Sequence, residues 1–203
     1  MNKKIIPVQT TKRDKTKIKV VVFDIGGVLL EILEVKSFWK NSPETSQELR
    51  EKFGAGKITT KQFISEGAKL LNISQSIFLK GYKKAYFSAK PKNDVLEIFK
   101  KLSLDKYLLS DTNPLVSKNH LLKLKDINKE VKGCFLSHKI KMRKTDIQTF
   151  DFLIKKVGVN PEEILFIDDS IGHLERAKTR KINTLLFEDS FQLLKDLKKL
   201  HLM

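Results

Sequence analysis

Asp24 stands inside Lys-Val-Val-Val-Phe-Asp-Ile-Gly-Gly-Val, residues Lys19 to Val28, where an apolar run delivers one carboxylate into a glycine turn. The β-branched and aromatic run Val20 to Phe23 has the pattern of a strand covered on both faces. In open parallel α/β sheets, ligands bind beyond the carboxyl ends of the strands, and Gly26-Gly27 lets the backbone turn tightly and approach a ligand closely. Asp24 is therefore the candidate nucleophile. Taken alone, Asp-x-Gly-Gly serves equally well as a turn or a helix N-cap.

Two further apolar runs end in chemistry. Lys106 to Leu109 leads into Ser110-Asp111-Thr112-Asn113-Pro114, small hydroxyl and amide groups before a proline able to open a helix. Ser110 offers a donor to phosphate. Ile164 to Ile167 ends in Asp168-Asp169, adjacent carboxylates that repel unless a cation or a proton relieves them. Facing Asp24, they would make a hard-cation site. Between these runs lies Met142-Arg143-Lys144, ahead of an Asp146–Val157 stretch with apolar residues at helical spacing. Lys144 supplies a fixed positive charge there. Each feature has a plain structural alternative: Ser110 as a helix cap, Lys144 as a solvated charge, Asp168-Asp169 as the start of a capped helix.

Taken in order, Phe-Asp24-Ile-Gly-Gly-Val, Leu-Ser110-Asp-Thr-Asn, Met-Arg-Lys144 and Phe-Ile-Asp168-Asp169-Ser-Ile-Gly-His-Leu-Glu-Arg-Ala resemble the four motifs of the haloacid dehalogenase superfamily of phosphohydrolases. The likeness covers roughly residues 18 to 190. It is nearest to the bacterial subgroup with a small helical cap, which includes sugar-phosphate phosphatases such as glucose-1-phosphate phosphatase; Gly56-Lys-Ile-Thr-Thr-Lys-Gln-Phe63 looks like that subgroup's cap-helix start. The resemblance implies a Rossmann-like core with a parallel sheet flanked by helices, and a small helical cap inserted after the first strand. It also implies Mg²⁺ held by Asp24, the carbonyl of Gly26 and Asp169, with Asp168 acting through water. Ser110 and the amide of Asp111 would hold the phosphoryl oxygens while Lys144 neutralises charge, and Asp24 would carry an aspartyl-phosphate intermediate.

One departure from the family pattern outweighs the others. Most phosphatases of the superfamily carry a second Asp two residues after the nucleophile as general acid and base, and here that position is Gly26. Such catalysis contributes about 10²–10⁴-fold, so its loss leaves either a slow enzyme or one restricted to good leaving groups. Three functions follow: a Mg²⁺-dependent phosphatase acting on a small phosphorylated metabolite, with sugar phosphates favoured; a catalytically weakened phosphate-binding or regulatory protein; or a metal-independent 2-haloacid dehalogenase, which the paired Asp168-Asp169 argues against. Smaller departures are Thr145 for the usual Pro, a missing Gly around Lys181, and Ser170 for the usual Asn, which can still cap the following helix.

These residues require a scaffold, and 203 residues suffice for one medium α/β domain with an insertion. The expected organisation is a basic tail over 1–17, a core over 18–32 and 90–203, and a helical cap over 33–89 that closes on the pocket. Within the cap, Ser42-Pro43-Glu44 and Thr59 to Phe63 begin helices, and Asn72-Ile73-Ser74 turns into a third. Trp39 and Tyr82 are substrate contacts or cap core. After it come a helix with Val95, Leu96, Ile98, Phe99 and Leu102 on one face, a late strand Asn183–Phe187 and a tail helix Phe191–Leu200.

The formal charge of +16 is compatible with a nucleic-acid partner, which is not favoured because the lysines are scattered and no RNA-binding motif interleaves aromatics with them. A basic surface can instead steer phosphorylated small molecules. No apolar window is long enough for a membrane helix and the start is too short for a secretory signal, so the expected location is cytoplasmic and no membrane partner is expected. The oligomeric state is not legible. The single cysteine, Cys134, is expected as a structural strand residue, and His173 as a solvent-facing helix position.

Overall fold

The computed structural model describes residues 18–32, 38–40 and 44–203. The basic tail, the first residues of the expected cap and the helix start at Ser42-Pro43 lie outside the described residues. Five parallel strands form one sheet in the order β5-β4-β1-β6-β7: β1 Val20–Phe23, β4 Asp105–Ser110, β5 Val131–Leu136, β6 Ile164–Asp168 and β7 Asn183–Leu186. The chain is α/β, with helices on both faces of this sheet, as the β-branched runs predict.

β1 shows how the layers divide. Val21 and Phe23 join a core with Val95 and Phe99 of α4 (Asn93–Lys101) and Leu193 and Leu197 of α9 (Ser190–Lys199). Val20 and Val22 point the other way, into Phe150 and Leu153 of α7 (Gln148–Val157) and Leu174 and Ala177 of α8 (Ile171–Lys178). Alternation along a strand thus buries both faces. In the expected Asp146–Val157 helix, Asp146 instead holds the approach: its carboxylate accepts the Arg143 N–H at 2.9 Å, and α7 begins at Gln148. Pro114 lies in a turn, and the helix it was expected to open, α5, starts at Ser117 and runs to Lys123.

Between the short strands β2 (Leu30–Glu31) and β3 (Lys90–Pro91), which pair antiparallel, stand α1 (Thr45–Gly54), α2 (Thr60–Leu70) and α3 (Gln75–Phe87). Their starts follow the sequence. Thr59 and Gln62 form a capping box, and Ser74 accepts the Ile77 N–H. These helices share their own core of Phe53, Phe63, Phe78, Tyr82 and Trp39, to which Val116 of the main body also packs. Tyr82 and Trp39 are buried there, and the Tyr82 hydroxyl also receives the Asn113 amide at 2.9 Å.

The usual Gly missing near the late strand leaves a trace. Lys181 adopts φ 60°, a left-handed conformation costly for a residue with a Cβ. Cys134 is half-buried on β5, and burial pushes its thiol up to about 11, which makes it a poor nucleophile near neutral pH.

Candidate active site

Register brings the acidic groups together. Phe23 lies level with Leu108 on one side and Ile167 on the other, so the next residue of each strand is Asp24, Leu109 or Asp168. Carboxylate oxygens of Asp24, Asp168 and Asp169 lie within 4.8 Å of one another, although 144 residues separate the first two in sequence. Lys144, only 1 % exposed, places its ammonium 2.7 Å from Asp24 Oδ2 and 2.6 Å from Asp168 Oδ2. The solvated-charge reading of Lys144 therefore fails.

The two buried acids differ in their surroundings. Asp168 also accepts the Ser170 N–H at 2.8 Å and stands 3.1 Å from His173 Nδ1. Burial alone would raise its pKa, but Lys144 and His173 outweigh it and hold the carboxyl below the usual range. Asp24 accepts the Ile25 N–H at 2.6 Å, yet its burial, reinforced by Asp168 and Asp169 and opposed by Lys144, pushes it up to about 7. Asp168 is thus the stronger acid of the two. Burial would lower Lys144, but Asp24, Asp168 and Asp111 together hold it above the ordinary lysine value. Asp169 is raised by desolvation and by its neighbour Asp168.

Two expectations need correction here. His173 is only partly exposed: it lies in the first turn of α8, just past the end of β6, and Asp168 stands 3.1 Å from its Nδ1. Ser170 stands at the N-cap of α8 but its hydroxyl makes no cap hydrogen bond, while its backbone N–H donates to the Asp168 carboxylate.

The glycine turn makes room for the third acid. Gly27 has φ 90°, and a Cβ built on it would come 2.1 Å from Asp169 Oδ2. Gly26 is different: a Cβ there meets Ile32 Cδ1 at 3.0 Å, so an apolar group borders the place where the family's second Asp would project. Lys92, which the motifs do not reveal, donates to the Gly27 carbonyl at 2.6 Å and packs over the Phe187 ring.

Ser110 ends β4 and is buried beside this cluster at the strand ends. Asp111 turns its side chain away from that role: Oδ1 accepts the Lys144 N–H at 2.9 Å and Oδ2 holds the Arg143 guanidinium at 3.1 Å. Its carboxylate therefore fixes the loop carrying Lys144, leaving its backbone as the group able to meet an anion.

Three carboxylates and one ammonium leave two negative charges, all donors being oxygens, which is the composition that suits a hard divalent cation. The chain is 28% identical over 186 residues to a D-ribitol-5-phosphate phosphatase of Bacteroides thetaiotaomicron, an alignment covering 79% of this chain and 87% of that one. A haloacid dehalogenase family enzyme from the same organism, solved with magnesium and inorganic phosphate, superposes with a TM-score of 0.65 at 22% identity, covering 84% of this chain and 94% of that one. L-2-haloacid dehalogenase from Xanthobacter autotrophicus gives 0.63 at 17% identity, covering 89% and 82%. The haloacid dehalogenase-like hydrolase family itself matches residues 18–179, the span that carries every motif and every acid described above, and the chain belongs to that family.

Proposed function

We propose that this protein is a Mg²⁺-dependent phosphatase that hydrolyses a small phosphorylated metabolite, a sugar or polyol phosphate, through an aspartyl-phosphate on Asp24. The observation that carries the reading is the convergence of Asp24, Asp168 and Asp169 around the buried Lys144. In it, residues 18–32 and 90–203 are the catalytic core and 33–89 the cap.

Asp24, the Gly26 carbonyl and Asp169 would hold Mg²⁺, with Asp168 acting through water because its oxygens already serve Lys144, Ser170 and His173. When bound, the ion supplies charge neutralisation between the attacking carboxylate and the phosphoryl oxygens. Asp24 attacks phosphorus as the bond to the ester oxygen breaks, the departing alkoxide taking a proton from solvent water; a second water then attacks the phosphorus, giving its proton to solvent, and the P–O bond to Asp24 breaks to release inorganic phosphate and restore the carboxylate. Ser110 and the Asp111 N–H orient the phosphoryl group, and Lys144 stabilises the charge that grows on its oxygens. The relative that acts on D-ribitol 5-phosphate supports a phosphorylated polyol or sugar as the leaving group.

The apolar border at Gly26 favours one competing reading, a phosphate-binding protein of low turnover. Phosphate release from a panel of sugar, polyol, acyl and aryl phosphates with Mg²⁺ separates the two. Turnover that disappears in Asp24→Asn supports the phosphatase; saturable binding without turnover above that control supports the alternative. With no aspartate at 26, rates should fall steeply along an aryl phosphate series as the leaving group becomes more basic.

A further inference from the structure

Ser137 follows β5 directly and opens the short helix α6 (Ser137–Ile140), where it is 1% exposed. Its hydroxyl lies 2.9 Å from the Thr112 nitrogen, 2.9 Å from the Thr112 carbonyl oxygen and 2.7 Å from the Gly54 carbonyl oxygen. Thr112 belongs to the loop after β4 that presents Ser110 and Asp111, while Gly54 ends α1 in the helical insertion. One buried oxygen thus touches both bodies.

A hydroxyl has one proton and two acceptor sites. Ser137 accepts from the Thr112 N–H and can donate to Gly54 or to Thr112, one at a time. With the insertion seated, the proton goes to Gly54. With the Gly54 turn lifted, that bond is lost and the hydroxyl turns back on Thr112, so the hydrogen bonding of the Thr112 loop changes whenever the turn moves. A second contact backs the first on the solvent side. Lys141, held at φ 61°, donates from Nζ to the Gly56 carbonyl at 2.7 Å, and a Cβ on Gly56 would come 2.4 Å from the His138 oxygen. The turn is therefore fitted closely to this patch of the core. From Thr112 the connection continues to Asp111, which anchors both Arg143 and the Lys144 backbone.

Resting on the phosphatase reading above, we propose that Ser137 is a positioning residue that ties the Gly54–Gly56 turn to the Ser110–Thr112 loop, so that seating the insertion and aligning the phosphate-binding groups are one event. Two full-length variants test it, read by amide hydrogen exchange and by hydrolysis of a sugar phosphate. In Ser137→Ala, exchange should rise both at 54–57 and at 111–113, and kcat should fall about tenfold, the size expected for losing one buried hydrogen bond, with KM changed less. In Gly56→Ala, the new methyl strains the turn at φ 61° and presses on the His138 carbonyl beside Ser137, its nearest neighbours being His138 and Lys141 rather than residues 111–113. Exchange at 111–113 should nevertheless rise, because the pull is relayed through Ser137. Faster exchange confined to 54–57 in Gly56→Ala overturns the proposal, whether or not Ser137→Ala folds. An unchanged kcat in a folded Ser137→Ala overturns it as well. If the wild-type protein hydrolyses no phosphate ester, the phosphatase reading fails on its own, while the exchange arm still decides the coupling.

Discussion

Replacing Lys144 by Met tests the charge balance on which the site depends. Lys144 is the ammonium that Asp24 and Asp168 share, at 2.7 and 2.6 Å, and all three side chains are buried. Removing one member of a buried ionic cluster costs about 3–5 kcal/mol, because the remaining charge is left uncompensated. For a chain of this size, that corresponds to a Tm lower by about 6–20 °C. The loss should depend on pH in a definite sense. Lys144 holds the Asp24 carboxyl down against its burial, so without the ammonium Asp24 titrates above its wild-type value of about 7; at pH 6 the proton it carries relieves the repulsion, and the deficit against wild type grows as pH rises above 7, where the wild-type acid ionises and the variant's resists. Mg²⁺ should then restore more stability to Lys144→Met than it adds to the wild type, since the cation meets three unopposed carboxylates and binds about tenfold or more tightly. Activity should nevertheless fall by about 10²–10³-fold, because the bound cation cannot reproduce a donor placed for the transition state. Thermal unfolding in EDTA and in Mg²⁺ at pH 6 and pH 8 measures each part. A Tm deficit below about 2 °C at pH 8 in EDTA, or a Mg²⁺ gain no larger than the wild-type gain, would refute the reasoning.

Gly27→Ala should lose stability by about 1–3 kcal/mol from its φ of 90°. It should also weaken Mg²⁺ binding by roughly 10–100-fold as the new methyl displaces Asp169, and calorimetric titration giving wild-type affinity would contradict that. Lys181→Gly should do the opposite to stability, relieving the left-handed φ of 60° for a gain of about 1 kcal/mol, visible as a Tm higher by about 2–4 °C. Mg²⁺ affinity should rise as pH passes upward through about 7, since binding displaces the proton that burial keeps on Asp24. Below that value the affinity should drop by up to about tenfold per pH unit, with proton release detectable by calorimetry in buffers of different ionisation heat, and a flat profile from pH 5.5 to 8 would exclude Asp24 as the titrating ligand.

What the sequence makes legible follows from which interactions are local. Val20 to Phe23 and Ile164 to Ile167 read as buried strands because burial on both faces demands an unbroken apolar run, while the pairing that sets Phe23 level with Ile167, and so Asp24 beside Asp168, belongs to the folded sheet. Thr59 with Gln62 and Ser74 with Ile77 read as helix starts because a cap is satisfied within one turn. The contacts that tune the site obey no such rule. His173 looks like an exposed helical position until the strand end beneath it is known, and nothing near Ser170 announces that its N–H turns to Asp168. Ser137 and Gly54 are 83 residues apart, and nothing in either neighbourhood announces the other.

The same distinction governs Gly26. Sequence shows that a carboxylate is missing there, but only the folded chain shows Ile32 bordering the space it would enter, with a Cβ at 26 already 3.0 Å from Ile32 Cδ1. Contact that close means an aspartate at 26 needs the Ile32 methyl to give by a few tenths of an ångström. Gly26 and Ile32 therefore have to be considered together in rebuilding an acid here, since glycine itself can pass no proton to a leaving group.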